Sequence, residues 1–129
     1  MNNYINEPKI VKKPWGKEEW IESNDHYCYK RIYINRGQRT SLQYHEKKLE
    51  TNYVAKGTTH LVIGTDINSL EQCIMIPGDS VTIKPSVIHR FIAISDVILQ
   101  EVSTSQVDDV IRISDDTNRP NGRIENEHN

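Results

Sequence analysis

The feature that most constrains this sequence is a series of short strand-like segments separated by turn signals. The segments are rich in β-branched and aromatic residues, and they cover residues 27–34, 58–63, 71–76, 80–83, 88–94 and 97–102. Turn signals such as Asn35-Arg36-Gly37 and Pro77-Gly78-Asp79 lie between them. The sequence contains no long amphipathic segment with capping residues that would indicate a helix. We therefore predict an all-β fold, which the pattern alone leaves open between a sandwich, a jelly roll and a small barrel.

The chain of 129 residues is long enough for one domain with one hydrophobic core. We predict a single domain over residues 1–113, with its β core at about residues 16–110. Residues 114–129 have a different composition, because Ile124 is their only large apolar residue. Such a segment buries too little surface to offset the entropy of ordering it, so we expect a polar, partly disordered tail.

Charge and cysteine content exclude several classes of partner. The chain has 16 Lys and Arg residues against 18 Asp and Glu residues, a net charge of −2. This balance provides no overall attraction to nucleic acid or to an acidic membrane. There is no apolar run of transmembrane length, and the N-terminus does not resemble a signal peptide. The two cysteines form no CxxC pair, which favours a reducing compartment, and we expect the cytoplasm.

Four residues could bind a divalent metal ion. Gln43 and His45 are two positions apart, so they share one face of a strand. A short hairpin at residues 46–48 would bring Glu50 back beside them, and His89 lies on a later predicted strand. Imidazole, carboxylate and amide groups suit Zn best, and also Mn, Co, Ni or Fe. Spacing alone leaves the ordinary alternative open, in which each histidine is a packed or surface residue.

These segments resemble the two signature motifs of the cupin superfamily. In the first motif, Gly37 is followed after five residues by Gln43-Tyr44-His45, then by Glu50 after four residues and Gly57 after six. Gln43 replaces the first histidine of the usual motif. The second motif corresponds to Pro85-Ser86-Val87-Ile88-His89, in which Val87 replaces a glycine. The resemblance implies a jelly-roll, or double-stranded β-helix, barrel with a metal on Gln43, His45, Glu50 and His89.

Further matches are similar to the mannose-6-phosphate isomerase branch of the cupins, in particular to the C-terminal isomerase domain of bifunctional isomerase/pyrophosphorylase enzymes. The matching segments are Pro14-Trp15-Gly16, Lys30-Arg31-Ile32, Ser41-Leu42-Gln43-Tyr44-His45 and His89-Arg90. The resemblance covers about residues 14–119 and implies a metal-dependent aldose–ketose isomerase. The implied ligand is a sugar or sugar phosphate, with mannose 6-phosphate favoured. The resemblance also suggests a homodimer, because pairing would cover an open sheet edge.

Isomerisation through an enediol needs a Lewis acid and a base, and a phosphorylated substrate also needs cations. Lys30 shares a strand face with apolar residues, and Glu101 lies in register with Leu99, so both could point into the barrel. We consider Lys30, Glu101 or a metal-bound hydroxide as the base, and Arg39 as the preferred anion contact. A sugar-binding cupin without turnover, or another cupin enzyme such as an epimerase or a dioxygenase, stays open as an alternative.

Overall fold

Residue character alternates along the predicted strands, and side-chain burial alternates in the same way in the structure. Along Cys28–Ile34, every second side chain is buried. The computed structural model describes residues 3–116, 119 and 121–124. These described residues form twelve strands and no helix, so none of them could cross a membrane as a helix.

The strands form two six-stranded antiparallel sheets. The first sheet contains, in spatial order, β1 (Lys9–Lys13), β2 (Gly16–Ser23), β3 (Cys28–Ile34), β10 (Val97–Ser103), β5 (Glu50–Lys56) and β8 (Ser80–Ile83). The second contains β12 (Gly122–Ile124), β11 (Val110–Ser114), β4 (Leu42–Tyr44), β9 (Ile88–Ala93), β6 (Thr59–Gly64) and β7 (Glu71–Met75). This is a jelly-roll barrel, which confirms the all-β cupin prediction.

The inner face of the first sheet changes from apolar to polar along its strands. At one level, Leu99 of β10 pairs with Ile32 of β3 and with Val54 of β5. One step along, Glu101 pairs with Lys30 and Asn52. The apolar half joins a buried cluster that includes Trp15, Ile34, Leu61, Ile83, Phe91 and Val97. The hydrophobic core therefore fills one end of the barrel, and the interior of the other end is polar.

Gly57 shows why the turn between β5 and β6 needs glycine. Its backbone has a φ of 82°, a region that L side chains rarely adopt. A Cβ atom at this position would clash with the carbonyl oxygen of Asp96. Both the backbone angle and the close contact therefore exclude a side chain here.

The structure differs from the sequence prediction at two places. Residues 46–48 do not form a hairpin between paired strands, because β4 lies in the second sheet and β5 in the first. The chain crosses between the sheets here and still brings Glu50 back to His45. In addition, β1 precedes the predicted core, and β11 and β12 extend beyond it. Half of the predicted tail, residues 114–129, lies outside the described residues, and the described half includes the end of β11 and all of β12.

Candidate metal centre

Three of the four predicted metal ligands converge at the polar end of the barrel. His45 follows β4, Glu50 is the first residue of β5 and His89 belongs to β9, so both sheets contribute. The three side chains are almost fully buried. Their candidate ligand atoms all lie within 4.8 Å of one another. The cluster therefore brings together residues from separate parts of the chain, as the motif resemblance implied.

Hydrogen bonds to the backbone orient both imidazole rings. Nδ1 of His45 donates to the carbonyl oxygen of Asp109 at 2.6 Å, and Nδ1 of His89 donates to that of Val87 at 3.0 Å. A carbonyl oxygen can only accept, so Nδ1 carries a proton and Nε2 is the nitrogen of each ring that could bind a metal. The two Nε2 atoms lie 2.7 and 3.3 Å from Oε1 of Glu50.

This arrangement fits a divalent metal ion. When Nε2 of both rings is deprotonated, two imidazole nitrogens and a carboxylate oxygen face one another and provide three donor atoms for one cation. Backbone carbonyls that fix the second ring nitrogen are the usual support for metal-binding histidines. The amide of Asn52 also donates to the other oxygen of Glu50 at 3.1 Å, which orients the carboxylate. The donor set of two nitrogens and one oxygen suits zinc and its neighbours in the first transition series.

Gln43 lies beside this cluster. It pairs directly with His89 across the β4–β9 ladder, and its side chain lines the same cavity as the three ligands. Its Oε1 accepts a hydrogen bond from the hydroxyl of Ser41 at 2.7 Å. That Gln43 is a fourth ligand stays a prediction, and its position is compatible with that role.

Asp109 is a supporting residue that the sequence analysis missed. Its carboxylate accepts hydrogen bonds from the backbone N–H groups of Glu46, Lys47 and Lys48, at 2.6 to 3.1 Å. Burial would raise the pKa of Asp109, but these donors lower it below its usual value. Asp109 thus fixes the segment between His45 and Glu50, which is the segment that crosses between the sheets.

Lys30 and Glu101 both point into the barrel, where the sequence analysis placed them. They are buried and line the cavity that contains the metal-ligand cluster. Lys30 Nζ lies 3.9 Å from Glu101 Oε2 and 3.6 Å from Glu18 Oε1. It also lies 4.2 Å from the centre of the Trp20 ring, within the range of a cation–π interaction.

Lys48 is a second buried lysine, which the sequence did not reveal. It belongs to the polar run 46–48 that we had assigned to a turn, yet only 4% of its surface is exposed. Its Nζ lies 3.6 Å from Oε2 of Glu101. Burial would lower the pKa of Lys48, but Glu101, Glu50 and Glu18 raise it above its usual value. Lys48 is therefore a permanent cation inside the barrel.

The two buried carboxyl groups, Glu50 and Glu101, differ in their pKa values. Burial would raise the pKa of Glu50, but Lys48 and hydrogen bonds from Glu101 and the histidines lower it well below its usual value. Burial and the charge of Glu50 raise the pKa of Glu101 to about 8, although Lys48 and Lys30 oppose the change. When two neighbouring carboxyl groups cannot both ionise, the pKa of one falls and the pKa of the other rises. Without a metal, Glu50 is therefore the ionised partner at neutral pH.

The structure does not bring Arg39 into this site. Its guanidinium pairs with both carboxylate oxygens of Asp116, at 2.7 to 2.9 Å. It is partly exposed, and among the described residues it does not belong to the cavity lining. Two other cations, Lys13 and Arg119, do line the cavity. Asp115 orients Arg119 through two hydrogen bonds of 3.0 Å.

A comparison with protein families agrees with this geometry. Residues 2–115 match the model of the family described as mannose-6-phosphate isomerase C-terminal. The chain belongs to this family. The membership supports a sugar-related function for this cupin domain and confirms the resemblance that the motifs indicated.

Members of the mannose-6-phosphate isomerase C-terminal family can be parts of longer proteins. The chain is 30% identical over 110 residues to a mannose-1-phosphate guanylyltransferase of Escherichia coli K12. The aligned region covers 81% of this chain and 22% of that protein. The chain thus spans about a fifth of the length of the curated relatives it matches.

Solved structures confirm the cupin fold of this family member. An RmlC-like cupin from Shewanella frigidimarina matches 84% of the chain, and 92% of its own length, with a TM-score of 0.65 and 18% identity. KdgF from a Halomonas species matches 84% of the chain, and 94% of its own length, with a TM-score of 0.66 and 15% identity. Similarity at these identities establishes the fold alone.

Proposed function

We propose that this domain is a metal-dependent aldose–ketose isomerase that acts on a sugar phosphate, with mannose 6-phosphate as the first candidate. One observation carries the proposal. A single cavity combines the His45–Glu50–His89 cluster with Glu101, a buried carboxyl group flanked by Lys30 and Lys48. A Lewis-acid site beside a positioned acid–base group is what enediol chemistry requires.

His45, Glu50 and His89 would hold the metal ion, with Gln43 as the fourth ligand. Zinc is the favoured ion for this donor set. Bound there, a divalent ion would polarise the carbonyl and hydroxyl oxygens of an open-chain sugar. The protein's own task is to orient the sugar, exclude water and move the proton.

Glu101 is the group we assign to proton transfer. Its carboxylate would remove the proton from C2 of the aldose and return it to C1, while the hydroxyl proton at O2 passes to O1. The product is the isomeric ketose, and Glu101 regains its starting state. Lys48 and Lys30 lie 3.6 and 3.9 Å from its Oε2 and stabilise the carboxylate form. Lys30 is the second candidate for the base because it lines the same cavity.

The charge at the cavity favours a phosphorylated substrate. Lys13 and Arg119 are both in the cavity lining, which makes them candidates to bind a phosphate. Asp115 fixes the plane of the Arg119 guanidinium, which suits bidentate recognition of an anion. Because Lys13 and Arg119 belong to the described lining of the cavity and Arg39 does not, we assign phosphate recognition to Lys13 and Arg119 and a supporting role to Arg39.

The test is NMR spectroscopy in D₂O with zinc- or manganese-loaded protein and mannose 6-phosphate. We expect solvent deuterium at C1 or C2, together with the ketose product. Glu101→Gln should lower the rate by about 10²–10⁴ while the metal stays bound. Glu46→Gln is a matched control, since Glu46 is an exposed carboxylate close to the same cluster.

The alternatives predict different results in the same experiment. Exchange at C2 without ketose would indicate an epimerase. Binding without exchange, across a panel of hexoses, pentoses and their phosphates, would contradict the isomerase and favour a sugar-binding cupin.

A further inference from the structure

A row of cross-strand neighbours forms the polar floor of the first sheet. Trp20, Lys30, Glu101 and Asn52 pair in succession across β2, β3, β10 and β5. Lys30 and Glu101 have already been placed in the proposed chemistry. Asn52 has not, although it is fully buried and lines the same cavity.

The orientation of the Asn52 amide follows from its one hydrogen bond to a carboxylate. Its side chain contacts Oε2 of Glu50 at 3.1 Å. The donor in this hydrogen bond is Nδ2, so the NH₂ group of Asn52 faces Glu50. The amide oxygen, Oδ1, therefore points away from Glu50. Within the described residues, this buried oxygen accepts no hydrogen bond.

A second buried acceptor lies directly across the ladder. Oε2 of Glu101 also accepts no hydrogen bond within the part of the chain that the structure describes. Residues that pair directly in an antiparallel sheet have Cβ atoms about 5 Å apart. The cavity floor thus presents two neighbouring acceptors, both buried. Oε2 of Glu101 has the ammonium groups of Lys48 and Lys30 at 3.6 and 3.9 Å. Buried acceptors are nearly always satisfied, so Oδ1 of Asn52, which accepts no hydrogen bond from the described residues, calls for a donor from outside the chain.

We infer that Asn52 is a substrate-recognition residue, whose amide oxygen accepts a hydrogen bond from a hydroxyl group of the sugar. The inference rests on the proposed function and adds a determinant of specificity to it. Hydroxyl groups match the site because Oδ1 of Asn52 is a hydrogen-bond acceptor and a polyol supplies several donors. The partner is a hydroxyl on a carbon next to the reacting ones, since Asn52 is the cross-strand neighbour of Glu101.

A site built to bind a hydroxyl group discriminates strongly against an analogue that lacks it. The test uses mannitol 6-phosphate, an open-chain analogue without a carbonyl group, and its 2-, 3- and 4-deoxy derivatives. Dissociation constants are measured by calorimetry with metal-loaded protein. We expect the wild-type protein to bind at least one deoxy derivative about tenfold more weakly than the parent compound. Asn52→Leu should bind that derivative and the parent equally well.

Two controls separate recognition from structural support. Thr51 is next to Asn52 on β5, and its side chain lies on the outer face of the barrel, where it forms a hydrogen bond with Thr82. Thr51→Val should therefore keep the wild-type discrimination. The titrations of Asn52→Leu are made at saturating metal, because the loss of its hydrogen bond to Glu50 should weaken metal binding. A metal-loaded Asn52→Leu that still discriminates between the parent and the deoxy derivative as the wild type does would overturn the inference.

A measurement on the unmodified protein covers the case in which Asn52→Leu does not fold. The ¹³Cγ chemical shift of Asn52 should change on binding mannitol 6-phosphate and not on binding the weaker deoxy derivative. The inference is overturned if the shift responds equally to both, or if no deoxy derivative is discriminated. If isomerisation is observed and discrimination is not, this inference fails alone. If the wild-type protein neither binds nor isomerises any sugar phosphate, the proposed function fails with it.

Discussion

Asp109 supports His45 through its backbone: the Asp109 carbonyl oxygen accepts the Nδ1 proton of His45 at 2.6 Å. The carboxylate of the same residue accepts the backbone N–H groups of residues 46–48. One residue therefore fixes both the tautomer of a candidate ligand and the crossing segment that leads to Glu50.

Removing the Asp109 carboxylate should therefore weaken both the fold and the metal site. We predict that Asp109→Ala lowers the free energy of unfolding of the metal-free protein by about 2–3 kcal/mol, because one buried and two partly buried backbone donors lose a charged acceptor. Urea denaturation measures this change. Metal affinity should fall by about 10- to 100-fold, as it does when outer-shell partners are lost. Asp108→Ala is the control, since Asp108 is exposed. An equal effect of the two substitutions would contradict this role.

The contribution of Asp109 should depend on pH in a defined direction. Its pKa is lowered in the folded protein, so its stabilising effect is present above its usual pKa of about 4 and is lost as the pH falls through the lowered value. The difference in stability between the wild-type protein and Asp109→Ala should be constant from pH 8 to 5 and should shrink below about pH 4. A difference that persists unchanged in acid would show that the ionised carboxylate is not responsible.

Lys48 and Lys47 provide a matched pair for testing the polar interior. Lys48 is buried beside Glu101, whereas its neighbour Lys47 is exposed. We predict that Lys48→Met destabilises the protein by about 3 kcal/mol, since it removes a cation that stabilises the buried carboxylate of Glu50. Lys47→Met should change stability by less than about 0.5 kcal/mol. Similar midpoints for the two variants in urea would refute the importance of the buried lysine.

Some residues of the polar interior could be predicted from the sequence, and others could not. Lys30 and Glu101 could be predicted because each sits on a strand among apolar residues of the same face, so their side chains had to enter the barrel. The convergence of the candidate ligands His45, Glu50 and His89 could be predicted because their spacing resembles the cupin motifs.

Other residues depend on contacts that no local pattern contains. Lys48 lies in a polar run, and only the crossing of the chain between the sheets turns it inward. Arg39 pairs with Asp116, which is 77 residues away along the chain. The buried carboxylate of Glu18 pairs with Lys30, which approaches it from the neighbouring strand β3. Such tertiary pairs are decided by topology, which the strand pattern left open.

We predict that the protein forms a homodimer through a sheet edge. The edge strand β7 exposes Ile74, and Ile76 follows it, each more than half exposed. Pairing of such an edge would cover unpaired backbone groups and apolar surface together. Light scattering at tens of micromolar should give twice the chain mass, and Ile74→Lys should reduce it. A monomer mass for the wild-type protein would contradict this prediction.

Gln43 should be the weakest of the four ligands, because a neutral amide contributes less to a metal than imidazole or carboxylate. Gln43→Ala should therefore retain the metal with reduced affinity, which a competition titration with a chelator measures. Affinity equal to that of the wild-type protein would remove Gln43 from the ligand set.

The decisive measurement is the metal content of purified, zinc- or manganese-loaded protein after dialysis, in the wild type, His45→Ala and His89→Ala. We expect one metal ion per chain in the wild type and none in either variant, with the β fold retained in far-UV circular dichroism. Added metal should raise the melting temperature of the wild-type protein alone. His60→Ala, a histidine on the outer face of β6 that bonds Gln72, should behave as the wild type does. Full metal occupancy in His45→Ala or His89→Ala would contradict the proposed metal centre.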